Sequence, residues 1–142
     1  MAKRSERTFV LLKPETFYNI DVCEAILKRI RKARLRIAKK ELILCDKKLV
    51  QRHYEEHKGA KHYRNLINKT KGRVVIALEV RGNNAVQVVR SMIGSCMRGE
   101  RVPGTIRGDF MKPRYPDRKN FIDAADSISS AEREIAIWFP EG

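Results

Sequence analysis

The chain has few of the residues that disulfide frameworks, zinc sites and membrane anchors require. Its 142 residues include three cysteines, Cys23, Cys45 and Cys96. They form no Cys-x-x-Cys pair and are odd in number, which argues against a disulfide framework or a zinc site and favours a reducing compartment. The apolar run at 9–12 is far too short for a signal peptide or a membrane span. We therefore expect a cytoplasmic protein with no membrane span.

Acidic residues are also scarce relative to basic ones. The chain has 31 Lys and Arg against 17 Asp and Glu, for a formal net charge of +14. Such a positive field attracts nucleotides, nucleic acid and anionic membranes, although a generally basic proteome would produce the same excess. Hydrophobic and charged contents of 42% and 34% are typical of a soluble globular protein. The length predicts one domain spanning 1–142.

Hydrophobic periodicity predicts an alternation of strands and helices. Strands are predicted at 8–12, 35–45, 74–80 and 120–124, the second with an irregularity near Lys39 and Lys40. Helices are predicted after caps at Asp21 and Asp46, around 62–68, from Asn83 or Asn84 to Gly94, and from Ser127 or Ser129 to Trp138. Ser129 and Glu132 have capping-box spacing. This order predicts an α+β, ferredoxin-like βαββαβ fold, a four-stranded antiparallel sheet with helices packed on one face.

Residues 103–110, PGTIRGDF, combine two glycines with a cation. Gly104 and Gly108 have no Cβ and allow a close backbone approach to a ligand. Arg107 offers a planar fork suited to phosphate oxygens, and Thr105 adds a hydroxyl. The alternative is a tight turn in which Arg107 pairs with Asp109. The surrounding stretch 95–119 has no sustained period, which is typical of a functional loop.

The only histidines, His53, His57 and His62, lie close together in the sequence. The first two have the i, i+4 spacing of a possible metal site. No carboxylate or cysteine completes that set, so the pattern favours structural or surface roles.

Several stretches occur in the order and with the spacing of one enzyme family. They are RTFVLLKP at 7–14, HY at 53–54, RSMIG at 90–94, PGTIRGDF at 103–110, NFID at 120–123, DS at 126–127 and SAEREIAIWF at 130–139. With them the chain resembles nucleoside diphosphate kinase from end to end, apart from a longer loop between Phe110 and Asn120. The resemblance implies the same fold, a homo-oligomer of four or six copies, and transfer of the γ-phosphate of a nucleoside triphosphate to a diphosphate through a phosphohistidine.

The resemblance also implies which residues bind the nucleotide. Lys13 falls on the ribose and terminal phosphate, and Tyr54 lies beside the transferring phosphoryl group. Arg90 and Arg107 fall on the phosphate clamps, and Asn120 on the sugar 3′-hydroxyl. Three cations around a triphosphate, with Mg²⁺ bridging the phosphates, are what phosphoryl transfer requires.

Three of the departures from the family's pattern fall on predicted site residues. Asp123 stands in place of the nucleophilic histidine, Cys96 in place of a phosphate-binding threonine, and His62 in place of the aromatic residue that stacks on the base. Glu134 matches the glutamate that orients the histidine ring. An aspartate has no ring nitrogen for Glu134 to orient, and two carboxylates in one site raise a pKa or repel the incoming phosphate.

These departures leave three hypotheses for the function of the chain. The first is a nucleotide-binding protein of this family whose histidine-based transfer is lost or severely weakened. The second is a working kinase that uses Asp123 or another nucleophile, or one whose histidine has been replaced by design. The third is a basic protein associated with nucleic acid, to which it would bind weakly and without sequence preference.

Overall fold

The chain is built around one four-stranded antiparallel sheet. The computed structural model describes residues 5–17, 19–111 and 120–141, and its strands are β1 (Ser5–Leu12), β2 (Arg36–Leu44), β3 (Val74–Asn83) and β4 (Ile122–Ala124). Their order across the sheet is β2-β3-β1-β4, with every neighbouring pair antiparallel. The predicted ferredoxin-like arrangement is confirmed. The part of the predicted functional loop at 112–119 lies outside the described residues.

Within the described ranges, six helices lie between these strands and a seventh follows β4. They are α1 (Pro14–Phe17), α2 (Ile20–Lys32), α3 (Lys47–His53), α4 (Tyr63–Thr70), α5 (Ala85–Ile93), α6 (Ile106–Phe110) and α7 (Ile128–Trp138), with a 3₁₀ turn at Glu55–His57. We did not predict α1 and α6, because four or five residues are too few to show a helical period. None of the described helices is long and apolar enough to cross a membrane.

Helices cover both faces of the sheet, so the prediction of helices on one face is wrong. Val10, Leu12 and Leu78 point to one face and pack with buried residues of α2 and α5. Phe9 and Leu11 point to the other face and pack with residues of α3, α4 and α7. Four consecutive residues of β1, at 9–12, are fully buried, and such a continuous apolar run is typical of a strand covered on both sides.

The structure corrects one predicted helix cap and decides between two candidates for another. Asn19, not Asp21, caps α2, because its side chain accepts a hydrogen bond from the Val22 amide at 3.3 Å. Ser127, not Ser129, caps α7 through the Ser130 amide at 3.1 Å. In each case several residues that favour caps lie within one turn, and local preference does not separate them.

Three other predicted features are confirmed. The Asp46 side chain caps α3, and Gly94 ends α5 with a φ of 80° that favours glycine. The register of β2 against β3 shifts between Ile37 and Lys39, close to the expected irregularity.

Candidate functional site

The turn that carries Arg107 is shaped by the small residues around it. The Thr105 hydroxyl accepts a hydrogen bond from the Gly108 amide at 3.0 Å and donates one to the Val102 carbonyl at 2.6 Å. A Cβ on Gly108 would lie 1.8 Å from that carbonyl oxygen, so only glycine fits there. Ile106 is fully buried beneath the turn. These contacts fix the direction in which Arg107 leaves α6.

The guanidinium of Arg107 joins three parts of the site. Its Nε donates to Asn120 Oδ1 at 3.0 Å, and its terminal nitrogens donate to the carbonyls of Gly94 and Ile122 at 2.7 and 2.8 Å. Burial lowers the pKa of Arg107 from its ordinary value, while the negative charge of Asp123 opposes that shift. Arg107 therefore stays a cation, but most of its donors already bind the protein.

The alternative in which Arg107 pairs with Asp109 is wrong. The Asp109 carboxylate binds Arg29 at 2.6 Å and accepts a hydrogen bond from the Gly104 amide at 2.9 Å. These two contacts hold Asp109 on the side of the turn that faces α2. Arg107 lies on the other side of the turn.

Asp123, on β4, is surrounded by donors. Its Oδ2 accepts a hydrogen bond from the Tyr54 hydroxyl at 3.1 Å and lies 3.2 Å from the Lys13 ammonium. Its Oδ1 lies 3.4 Å from the Asn120 amide nitrogen and 3.9 Å from the Arg107 guanidinium. The strand ladder sets this geometry, because Asp123 pairs with Leu11 on β1, two residues before Lys13.

The surrounding charges set the protonation state of Asp123. Burial acts to raise its pKa, but the positive charges of Lys13, His53 and Arg107 hold the pKa below its ordinary value. His53 contributes only at acidic pH, because burial lowers its own pKa to about 4. Burial and the charge of Asp123 raise the pKa of Tyr54 well above its usual range. At neutral pH Asp123 is therefore a carboxylate, and Tyr54 is a neutral donor.

The pKa of Glu134, on α7, is shifted in the opposite direction. Burial raises the pKa of Glu134 to about 7, and the negative charges of Asp123 and Asp126 add to that effect. Arg133 opposes it from 3.8 Å. The pKa of Asp123 is thus below the ordinary value for a carboxylate, and the pKa of Glu134 is above it. Near neutral pH a large share of Glu134 is therefore protonated.

We expect Glu134→Gln to stabilise the protein at alkaline pH. Between about pH 4.5 and 7, folded Glu134 holds a proton that the unfolded chain has released, so its contribution to stability falls as pH rises. Glutamine does not ionise, so the variant lacks this loss of stability with rising pH. The stability of Glu134→Gln relative to the parent should increase by about 2–3 kcal/mol from pH 4.5 to pH 8, measured by urea unfolding.

Glu132→Gln is the matched control on the same helix. A hydrogen bond from Arg7 lowers the pKa of Glu132, so its ionised form favours the folded state. That variant should lose stability relative to the parent as pH rises. The same sign of change in both variants would contradict the assignment of Glu134.

The three histidines have structural or surface positions. His53 is buried, and its Nδ1 accepts a hydrogen bond from the Trp138 indole at 2.9 Å. His57 and His62 are exposed, with ring nitrogens 3.4 Å apart. The described residues hold no group of three or more His, Cys, Asp or Glu side chains that could bind a metal ion.

These side chains surround a cavity of about 600 Å³. All nine predicted site residues line it: Lys13, Tyr54, His62, Arg90, Cys96, Arg107, Asn120, Asp123 and Glu134. His57 and His62 form an exposed rim, and Lys13 and Asn120, 7% and 8% exposed, form the floor. A cavity of this size with a few convergent polar groups suits a small-molecule ligand.

A sequence profile of the nucleoside diphosphate kinase family matches residues 6–142. The chain belongs to this family. It is 44% identical to the nucleoside diphosphate kinase of Methanocaldococcus jannaschii over 137 residues, or 96% of this chain and 94% of that protein. It is 41% identical to the enzyme of Thermoanaerobacter sp. over 136 residues, or 96% of this chain and 98% of that protein.

Solved structures of the same family share the fold. The Aquifex aeolicus nucleoside diphosphate kinase superposes with a TM-score of 0.87 at 26% identity, covering 96% of each chain. The Borrelia burgdorferi enzyme, solved with bound vanadate and ADP, superposes with a TM-score of 0.84 at 26% identity, covering 95% of this chain and 87% of that one.

The cavity of this family member is also lined by residues that the sequence analysis did not name as site residues. Asp126 binds Arg90 at 2.6 Å. Arg133 donates to the carbonyls of residues 52 and 53 and lies 3.5 Å from Glu56. Asp126 and Arg133 lie in the DS and SAEREIAIWF motifs and close to predicted site residues, and that position was the available signal.

Proposed function

We propose that this chain is a nucleotide-binding member of the nucleoside diphosphate kinase family in which transfer through a phosphohistidine is lost or severely weakened. The observation that carries the proposal is the ionised Asp123, ion-paired with Lys13 at 3.2 Å, in the position that the family's motif gives to histidine. A carboxylate repels an incoming phosphate. Its Oδ2, already bound by Lys13 and Tyr54, is a weak nucleophile.

Nucleoside di- and triphosphates are the proposed ligands. Lys13 and Arg90 would bind phosphates, Asn120 the sugar, and His62 the base at the rim. The relative from Borrelia burgdorferi holds ADP and vanadate, which supports a ligand of this chemistry in the corresponding cavity. Mg²⁺, which would neutralise and bridge the phosphates, would be carried by the nucleotide.

Two residues limit what this site could do even with a nucleotide bound. Cys96 lines the cavity where a threonine would donate a stronger hydrogen bond. Most of the Arg107 donors bind the protein's own oxygens. Arg107 would therefore attract a phosphate through its positive charge more than through paired hydrogen bonds.

Incubation with labelled ATP tests the proposed loss of transfer. We expect no acid-labile, base-stable phosphoenzyme, and no transfer from ATP to a second diphosphate at the rates of an active kinase. A stoichiometric phosphohistidine adduct would refute the proposal. Transfer with a phosphoaspartate adduct would favour the hypothesis of a working kinase with another nucleophile.

Nucleotide binding is tested separately by thermal unfolding with Mg²⁺ and ADP. A ligand that binds only the folded state at a hundredfold excess over Kd should add about 2.7 kcal/mol of stability. Arg90→Ala is the matched variant, because within the described residues the Arg90 side chain pairs with exposed Asp126, so the variant should keep its fold and show a smaller shift with ADP. No shift of the parent at millimolar ADP or ATP would count against the nucleotide site.

Self-association and a cytoplasmic location complete the proposal. Leu42 and Leu44 lie two residues apart on the edge strand β2 and are 59% and 69% exposed. Unpaired apolar edges of this kind favour contact with another copy. Light scattering should show an oligomer that Leu44→Glu weakens.

The three cysteines are free thiols, which fits a reducing compartment.

A basic segment favours weak nucleic-acid binding as a second function. Residues 28–40 contain eight Lys or Arg and no Asp or Glu. Arg29 and Lys39 pair with carboxylates, whereas Arg31, Lys32 and Arg34 are exposed. The segment lacks a base-reading motif, so binding would come from counterion release.

We expect binding to mixed-sequence single-stranded DNA that weakens steeply as salt rises from about 50 to 200 mM. Arg31→Gln combined with Arg34→Gln should lower both the affinity and its salt dependence more than the matched pair Lys47→Gln and Lys48→Gln. Tight, base-specific and salt-insensitive binding would contradict this prediction.

A further inference from the structure

The floor of the cavity already holds a negative charge that belongs to the protein. Lys13 and Tyr54 are buried donors at that end, and both contact Asp123 Oδ2, at 3.2 and 3.1 Å. Asn120 and Arg107 face the other oxygen at 3.4 and 3.9 Å. Lys13 and Tyr54, the two donors that could bind a terminal phosphate on the floor, are therefore already bound to Asp123.

The cations nearer the mouth are paired in the same way. Arg90 binds Asp126 at 2.6 Å, and both side chains are largely exposed. Arg133 lies 3.5 Å from Glu56 and 3.8 Å from Glu134. Among the described residues that line the cavity, four Lys or Arg face four Asp or Glu, so this lining carries no net formal charge, although the chain carries +14. The affinity of an anion thus depends on where each of its phosphates lies.

We propose that Asp123 is a specificity-determining residue that makes this site select nucleoside diphosphates over triphosphates. The inference rests on the proposed nucleotide site, with the base at the rim of His57 and His62 and the phosphate chain directed to the floor. In that orientation the last phosphate of a diphosphate lies farther from Asp123 than the third phosphate of a triphosphate would. A third phosphate must lie against the carboxylate or displace it from Lys13 and Tyr54.

Both routes weaken triphosphate binding. Like charges in contact repel strongly where water is largely excluded. Displacement of Asp123 would leave a half-buried carboxylate without its cation, which is also unfavourable. The additional charge of a triphosphate, which usually increases affinity for basic sites, therefore works against binding here.

Titration calorimetry of the full chain tests this selection, with ADP and with the β,γ-methylene analogue of ATP, each with Mg²⁺. We expect the parent to bind ADP at least about tenfold more tightly than the analogue. Asp123→Asn keeps the shape of the side chain and removes its charge, so the two affinities should come within about threefold, mainly through tighter binding of the analogue. Asp123→Ala, a smaller side chain, should change the ratio in the same direction.

Glu24→Gln is the matched control, because it removes one negative charge from an exposed position of α2 and should keep the parent's ratio. Equal affinities in the parent, or a ratio that both Asp123 variants leave unchanged, would overturn selection by Asp123 and leave the nucleotide site standing. Failure of both ligands to bind the parent and both variants would remove the nucleotide site and this inference with it.

Discussion

Asp123→His is expected to raise phosphoryl transfer from ATP to a second nucleoside diphosphate at least about a hundredfold above the parent, while remaining below an active kinase. The substitution supplies a nucleophile beside Tyr54 and Asn120 and frees the Lys13 ammonium for phosphate. It also removes a negative charge that raises the pKa of Glu134. Glu134 would then ionise more readily and could orient the imidazole.

The shortfall has a structural cause. Cys96 is a weak donor, and the loss of one well-placed donor can cost about a hundredfold in rate. A coupled assay with ATP and a second diphosphate measures the gain, and Asp123→Ala should stay inactive in the same assay. Equal rates in the parent, alanine and histidine forms would show that position 123 is not the reacting centre.

Arg107→Ala is expected to destabilise the fold by about 3–5 kcal/mol. The substitution removes the guanidinium donors to the carbonyls of Gly94 and Ile122 and to Asn120 Oδ1, which still accepts from the Ile122 amide, and it removes a cation beside Asp123. Arg107→Lys keeps the charge but cannot reproduce three directed hydrogen bonds, so we expect a smaller loss of about 1–3 kcal/mol. Urea unfolding at pH 7 measures both values.

Arg90→Ala is the matched control for this prediction. Arg90 and its partner Asp126 are 46% and 74% exposed, and such surface pairs contribute less than about 1 kcal/mol. The variant should remain nearly as stable as the parent while losing nucleotide affinity. Similar stabilities for the alanine variants of Arg90 and Arg107 would contradict the structural role assigned to Arg107.

Much of the fold could be predicted because strong local patterns and long-range packing agree. The apolar run of β1, the cap at Asp46 and the stop at Gly94 each lie where the structure has them. The errors lie where local signals were equivalent or absent. Asn19 and Asp21 both favour a cap, and α6 is too short to show a period.

In the candidate site, too, some features could be predicted from the sequence and others could not. Its nine residues were named from the resemblance to the family's motifs, and all nine line one cavity. Their partners could not be named. Arg107 was expected to bind a phosphate or Asp109, whereas its guanidinium binds two carbonyls and Asn120. Hydrogen-bond partners depend on distances across the sheet that residue order does not encode.

The residue order by itself determined the strands, the five longer helices, the family and the presence of an aspartate where the motif has a histidine. Only the tertiary structure decided what that aspartate does. Folding places Asp123 between Lys13 and Tyr54, which lie 110 and 69 positions away in sequence. Because electrostatic interactions depend on distance and burial, this placement keeps Asp123 ionised while burial raises the pKa of Glu134 to about 7.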